Sequence, residues 1–199
     1  MRKLVVINHL TLGGVVQAPG RPNEDTSGGF EHGGWGAPNT DEVMGQKLGE
    51  RMGRGGGLVL GRRTYEQMHA YWPNQADNPY TDALEATTKY VASRTLTEPL
   101  PWANSILLEG DAADAVEGLK ADGEGNLTVM GSGDLLGSLR RLVDEYLLMI
   151  HPLVLGTGRR LFPEGGPPAA LGLVESVTTT TGVVFATYRP TRSGVGTAG

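Results

Sequence analysis

Six short apolar runs recur along the chain, at residues 4–7, 58–60, 90–92, 106–108, 127–130 and 146–150, and they constrain the fold more than any other feature. Each has the length of a strand and is continuous rather than alternating, the pattern of strands covered on both faces. Helical patterns fall between them. One starts near Thr40 and carries Val43, Met44 and Leu48; a second follows Thr64, where Thr64-Tyr65-Glu66-Gln67 has the form of a capping box. A third opens at Asp111, a good N-cap, and a fourth spans 133–143 with Leu135, Leu136, Leu139, Leu142 and Val143 on one stripe. The end of the chain differs, because Thr- and Val-rich runs at 174–179 and 183–188 flank a turn that ends at Gly182, as in an antiparallel hairpin. These patterns predict an α/β fold, a three-layer α/β/α sandwich around a mixed sheet of about eight strands. One domain is expected over residues 1–189, with the hairpin at 173–189 on one edge of the sheet and a flexible tail over 190–199.

Composition narrows the function. The net charge of -5 argues against a nucleic-acid or membrane-surface partner, which would require a basic field. There are no cysteines, so disulfides, thiolate metal sites and a cysteine nucleophile are excluded, and no histidine pair has metal-ligand spacing. No run approaches the ~18 apolar residues of a membrane span, and the first residues lack the features of a signal peptide, so a cytoplasmic protein with no bound metal is expected. Gly-x-Ser-x-Gly does not occur, which removes a serine nucleophile elbow.

Three segments carry candidate chemistry. Leu58-Val59-Leu60-Gly61-Arg62-Arg63-Thr64 is a buried strand, a glycine, two arginines and a helix start; guanidinium groups beside a helix N-terminus suit a phosphate. Lys89-Tyr90-Val91-Ala92-Ser93-Arg94 ends a strand in a hydroxyl and an arginine. Val129-Met130-Gly131-Ser132-Gly133-Asp134-Leu135 runs a strand through glycines into a helix, where a diphosphate can approach the backbone. Each segment taken singly is also compatible with an ordinary turn. Together they place polar groups just past the carboxyl ends of strands, the edge at which open α/β sheets bind ligands. A Rossmann dehydrogenase is disfavoured, since the glycine motif comes late and lacks its third glycine at Leu136.

The order of these motifs resembles the dihydrofolate reductase superfamily, and more closely its RibD C-terminal domain branch, which includes the bacterial riboflavin-pathway pyrimidine reductase. The resemblance covers roughly residues 2–189 and rests on Gly61-Arg62-Arg63-Thr64-Tyr65, Ser93-Arg94, Val129-Met130-Gly131-Ser132-Gly133 and the segment at 152–162, with Thr11-Leu12-Gly13-Gly14 matching in position. It implies an NADPH-dependent oxidoreductase. Leu12 would line the nicotinamide, Gly61, Arg62, Arg63, Thr64, Ser93 and Arg94 the adenosine side with its 2′-phosphate, and Gly131, Ser132, Gly133, Asp134 and Leu135 the diphosphate. It also implies a homodimer formed through the late strands, and a small-molecule substrate with a pteridine-, pyrimidine- or other heteroaromatic-like ring. Two departures argue against folate itself: Gly13 stands where the family usually has an acid, and Leu148 falls near the place of a threonine that supports the substrate-side carboxylate. That carboxylate would be Asp41 or Glu42, and Asp41 is the candidate catalytic acid, although an acid just after Thr40 also suits a helix start.

The stretch at 19–38 is rich in glycine and proline yet carries Phe30 and Trp35, which are expected to pack over a substrate cleft, with Tyr71 or Trp72 as a further wall. His9, after the first strand, can face a pocket or be structural, and His151 is expected to cap a strand. The alternative function is a ligand-binding module on the same fold that performs no chemistry.

Overall fold

The apolar runs form strands in a computed structural model of the protein, which describes residues 1–52, 55–75, 77–131 and 133–191. The strands are β1 (Leu4–Thr11), β2 (Gly55–Gly61), β3 (Lys89–Ala92), β4 (Ser105–Leu108), β5 (Asn126–Val129), β6 (Glu145–His151), β7 (Leu171–Thr178) and β8 (Val184–Pro190). They build one eight-stranded sheet in the order β4-β3-β2-β5-β1-β6-β8-β7. β2 pairs in parallel with β3 and β5, and β3 with β4, whereas β6 with β8 and β7 with β8 are antiparallel. The fold is therefore α/β with a mixed sheet, and the terminal hairpin lies at its edge. The continuous apolar runs have the expected cause: Leu58, Val59 and Leu60 are all buried, so neither face of β2 meets water along this run. β7, one of the two edge strands, instead exposes Leu173 and Val174. The tail expected over 190–199 lies largely outside the described residues; Pro190 ends β8, and the N–H of Thr191 donates to the Ala170 carbonyl.

Among the described residues five α-helices accompany the strands: α1 (Glu42–Met52), α2 (Arg62–Tyr71), α3 (Pro79–Ala86), α4 (Ala112–Ala121) and α5 (Gly133–Leu139). Among the described residues none is long and apolar enough to cross a membrane. The chain divides into two compact units, residues 1–5 with 51–142 and residues 6–50 with 143 onward. In the first, Leu58, Leu60, Tyr65, Leu84, Val91 and Trp102 form a core cluster, with Trp72 packed against it. Lys89 is fully buried there. Its ammonium donates to the carbonyls of Leu84 (2.6 Å) and Thr87 (2.8 Å) and lies 4.5 Å from the centre of the Trp102 ring. It thereby satisfies carbonyls that the end of α3 leaves without helical partners.

In the second unit the 19–38 stretch is packed rather than loose. Phe30 and Trp35 are buried with Val15 and Ala18, and Trp35 Nε1 donates to the Gln17 carbonyl (2.7 Å). The Arg159 guanidinium pairs with Asp25 and donates to Ser27 Oγ (2.6 Å), while the Gln17 side chain donates to the Ser27 carbonyl (2.9 Å) and accepts from the Arg159 N–H (3.0 Å). Gly158 (φ +109°) faces Phe30 and Val15 so closely that a Cβ would lie 2.7 Å from each.

Candidate cofactor site

The first unit gathers its strand ends around one cavity. In register, Gly61 of β2 stands beside Ala92 of β3, and Ala92 beside Leu108 of β4. Parallel strands that stop level send their next residues out on the same edge. The resulting cavity has a volume of about 490 Å³. The turn from β2 into α2 contributes Gly61, Arg62 and Arg63, and the end of β3 contributes Ser93, Arg94 and Thr95. The connection from β4 to α4 adds Gly110 and Asp111, and α5 adds Asp134, Leu135 and Ser138.

The chemistry at the cavity follows from how its elements begin. Gly61, in extended backbone, is the N-cap of α2 and supplies that helix with no side-chain cap. The capping box expected at Thr64 does not form. The strand passes directly into the helix at Gly61, which places Thr64 in the first turn rather than ahead of it. Among the described residues the leading N–H groups of α2 thus have no side-chain cap, and the arginines at its start add positive charge. Arg62 Nη1 donates to Thr95 Oγ1 (2.9 Å), which joins the β2 end to the β3 end, and Arg62 also lies 3.8 Å from Glu66. Ser93 Oγ accepts the N–H groups of Thr95 (3.1 Å) and Leu96 (3.0 Å), so its hydroxyl shapes the turn that presents Arg94. Gly131 (φ +120°) packs against α2, where a Cβ would come within 3.1 Å of Thr64 Oγ1. Ser132 lies outside the described residues. Gly133 starts α5, with Asp134 in its first turn.

The chain matches the family model of the RibD C-terminal domain over residues 2–185. It belongs to the RibD C-terminal domain family. This RibD C-terminal domain is 30% identical over 138 residues to YyaP, an uncharacterised protein of Bacillus subtilis (strain 168), a stretch that covers 66% of this chain and 72% of that protein. A solved structure from Shewanella sp. PV-4, described as a riboflavin biosynthesis protein, superposes with a TM-score of 0.68 at 23% identity and covers 96% of this chain and 99% of that one. Dihydrofolate reductase from Enterococcus faecalis, solved in complex with NADP(H), superposes with a TM-score of 0.58 at 16% identity, over 94% of this chain and 96% of that one. The fold is thus dihydrofolate reductase-like.

Within the RibD domain, Gly61, Arg62, Arg63, Ser93, Arg94, Asp134 and Leu135 meet at the cavity. Thr95, Leu108, Gly110, Asp111, Ala112 and Ser138 line it too and were not expected as site residues. Of these, Asp111 carries the clearest chemistry: its Oδ1 accepts the N–H groups of Ala113 (2.8 Å) and Asp114 (3.4 Å) and caps α4. The remaining candidates lie elsewhere. Trp72 packs edge-on against Tyr71 (5.0 Å between centroids) and at a tilt against Tyr80 (4.7 Å), within the first unit. Leu12, Phe30, Trp35 and Asp41 belong to the second unit. Leu12 is exposed beyond β1, its N–H donating to the Leu153 carbonyl (3.0 Å). Asp41 caps α1: Oδ1 accepts the Met44 N–H (2.9 Å), and Oδ2 accepts the Thr180 hydroxyl (2.6 Å) and N–H (2.8 Å). The Thr180 hydroxyl and then the Met44 N–H hold its carboxyl below the usual carboxylate range, which favours an ionised capping group over a proton donor.

The second unit also holds a histidine pair. His9 Nδ1 and His151 Nε2 lie 2.9 Å apart, with His151 fully buried at the end of β6 and touched edge-on by Trp35 at 5.1 Å. His151 Nδ1 is buried with no hydrogen-bond partner among the described residues. A proton there would be an orphaned donor, so the favoured tautomer has His151 Nε2–H donating to His9 Nδ1. Burial, and then the neighbouring His151, push the His9 pKa down to about 4. Among the described residues no group of three or more side chains is arranged to hold a metal ion.

Proposed function

We propose that this RibD C-terminal domain is an NADPH-dependent reductase that delivers a hydride to a pteridine-, pyrimidine- or related heteroaromatic substrate. The observation that carries the proposal is the convergence of Arg62, Arg63 and Arg94 on one cavity, beside a helix whose N-cap, Gly61, has no side chain to cap it. Guanidinium forks and open N–H groups match the oxygens of a phosphate monoester, and the 2′-phosphate is what distinguishes NADPH from NADH. The α5 start, with Gly133 and Asp134, is assigned to the diphosphate. Bound NADPH would supply the hydride, while the protein would bind and orient it. The complex of Enterococcus faecalis dihydrofolate reductase with NADP(H) supports this reading by likeness of fold.

Proton delivery is not assigned to Asp41, whose two carboxylate oxygens are engaged in capping. That engagement favours, as the second reading, a nucleotide-binding module that performs no chemistry. Following NADPH absorbance against a panel of pteridines and pyrimidines decides between them. Oxidation faster than the substrate-free control is expected; NADPH binding with no turnover across the panel would favour the module. A homodimer paired along β7 is part of the proposal, because this edge exposes Leu173 and Val174. Light scattering should give twice the chain mass, and a monomer at micromolar concentration would refute that part.

A further inference from the structure

The geometry points to Asp111 as the residue that reads the purine ring of the bound coenzyme, selecting an exocyclic amino group over a carbonyl. This inference rests on the cavity being a dinucleotide site and deepens that reading. It begins from the charge layout. The arginines enter from the ends of β2 and β3, while Asp111 enters beyond β4. Neighbouring strands lie ~4.8 Å apart, so the ends of β2 and β4 are separated by roughly 10 Å, comparable to the length of a nucleoside.

Two of the helices that open on this cavity begin in opposite states. Among the described residues α2 has no side-chain cap, and it follows with two arginines, so its first N–H groups are available to an anion. α4 has its first N–H groups taken by Asp111 Oδ1, and the cap itself is negative. A phosphate is drawn to the α2 end and repelled from the α4 end. The ring of the same nucleoside, being neutral, occupies the α4 end. Leu108, partly buried, and Ala112 give that end apolar surface suited to a flat ring.

Asp111 can then discriminate between rings. With Oδ1 engaged in capping, Oδ2 remains as an acceptor at the rim, and an ionised carboxylate has no proton to give. Adenine offers an amino donor where hypoxanthine offers a carbonyl acceptor. The first makes a charge-assisted hydrogen bond with Asp111; the second sets lone pairs against a carboxylate.

The test is calorimetric binding of NADPH and of its hypoxanthine analogue, which is identical in its phosphates. The wild type should prefer NADPH by about tenfold, one charge-assisted contact trimmed by solvent exposure. Asp111→Asn keeps the cap, since Asn caps as well as Asp, but with its amide oxygen on the helix it turns NH₂ donors outward; the preference should vanish or invert toward the analogue. Asp111→Ser keeps a cap with no outward group, and the two coenzymes should bind alike. Thermal melts of both variants report whether the cap holds. If the wild type binds both coenzymes equally, or the Asn variant keeps the wild-type preference, the assignment of Asp111 is overturned while the NADPH reading stands. If the wild type binds neither coenzyme, the cavity reading fails and this inference with it.

Discussion

Acidification should destabilise this protein through the His9–His151 pair, and the size of the effect can be worked from the structure. His9 is held neutral, its pKa pushed down from 6.5 to about 4 by burial first and by His151 second. In the unfolded chain His9 regains its ordinary pKa. A group whose folded pKa is depressed leaves the unfolded state binding more protons, so stability is fully present above about pH 6.5 and is lost as the pH falls toward about 4. That interval corresponds to roughly 3 kcal/mol, at ~1.4 kcal/mol per tenfold change in proton affinity. Water at the partly exposed His9 ring trims the expected loss to about 1–3 kcal/mol. The local chemistry runs the same way. A proton added at His9 Nδ1 forces His151 to accept through Nε2 and to carry its own proton on the buried Nδ1, which lacks a partner. Urea unfolding across this pH range would measure the effect, with His9→Asn as the control that removes the titrating ring. Carboxylates that titrate in the same range contribute to both proteins, so the difference between them isolates His9. The variant should show a shallower fall in stability. Parallel curves for wild type and variant would mean that His9 does not couple protonation to stability.

Two further substitutions test the packing. Gly158→Ala forces a Cβ to within 2.7 Å of Phe30 and Val15 at a backbone angle that L residues rarely adopt; a loss of about 2–4 kcal/mol is expected from overpacking and strain, read as a lowered Tm, and an unchanged Tm would contradict the packing described. Lys89→Met keeps the buried stem but removes the donor to the Leu84 and Thr87 carbonyls; a loss of about 1–3 kcal/mol is expected in chemical denaturation, and a neutral result would mean the ammonium does not stabilise the end of α3.

The sheet was legible because its central strands are buried on both faces, so runs such as 58–60 stand out without alternation. The hairpin was legible from Gly182, which takes the positive φ (+82°) of the turn between β7 and β8. Helix α3 was missed: only Thr81 and Leu84 of its eight residues are buried, too few to make a stripe. Its signal was local, Asn78 as N-cap ahead of Pro79, with the Asn78 side chain accepting the Tyr80 N–H. Thr64 misled for the converse reason, since a capping-box spelling says nothing about whether the strand has already handed over to the helix. The convergence of the arginine and serine segments on one cavity could be read because parallel strands deliver their carboxyl ends to one edge. Asp111 could not, because its capping role accounts for it fully until the cavity beside it is seen. Nor could the histidine pair, whose members are 142 residues apart and meet only through the packing of the second unit.

Reading of the 2′-phosphate by Arg62, Arg63 and Arg94 would show in calorimetric titration of NADPH and NADH into the wild type, Arg62→Ala and Arg94→Ala. Two charge-assisted contacts, discounted for solvent exposure, predict a preference for NADPH on the order of a hundredfold, eroded by added salt. Each variant should lose NADPH affinity and leave NADH affinity unchanged. Equal affinity for the two coenzymes in the wild type, or an equal loss for both in the variants, would contradict the account.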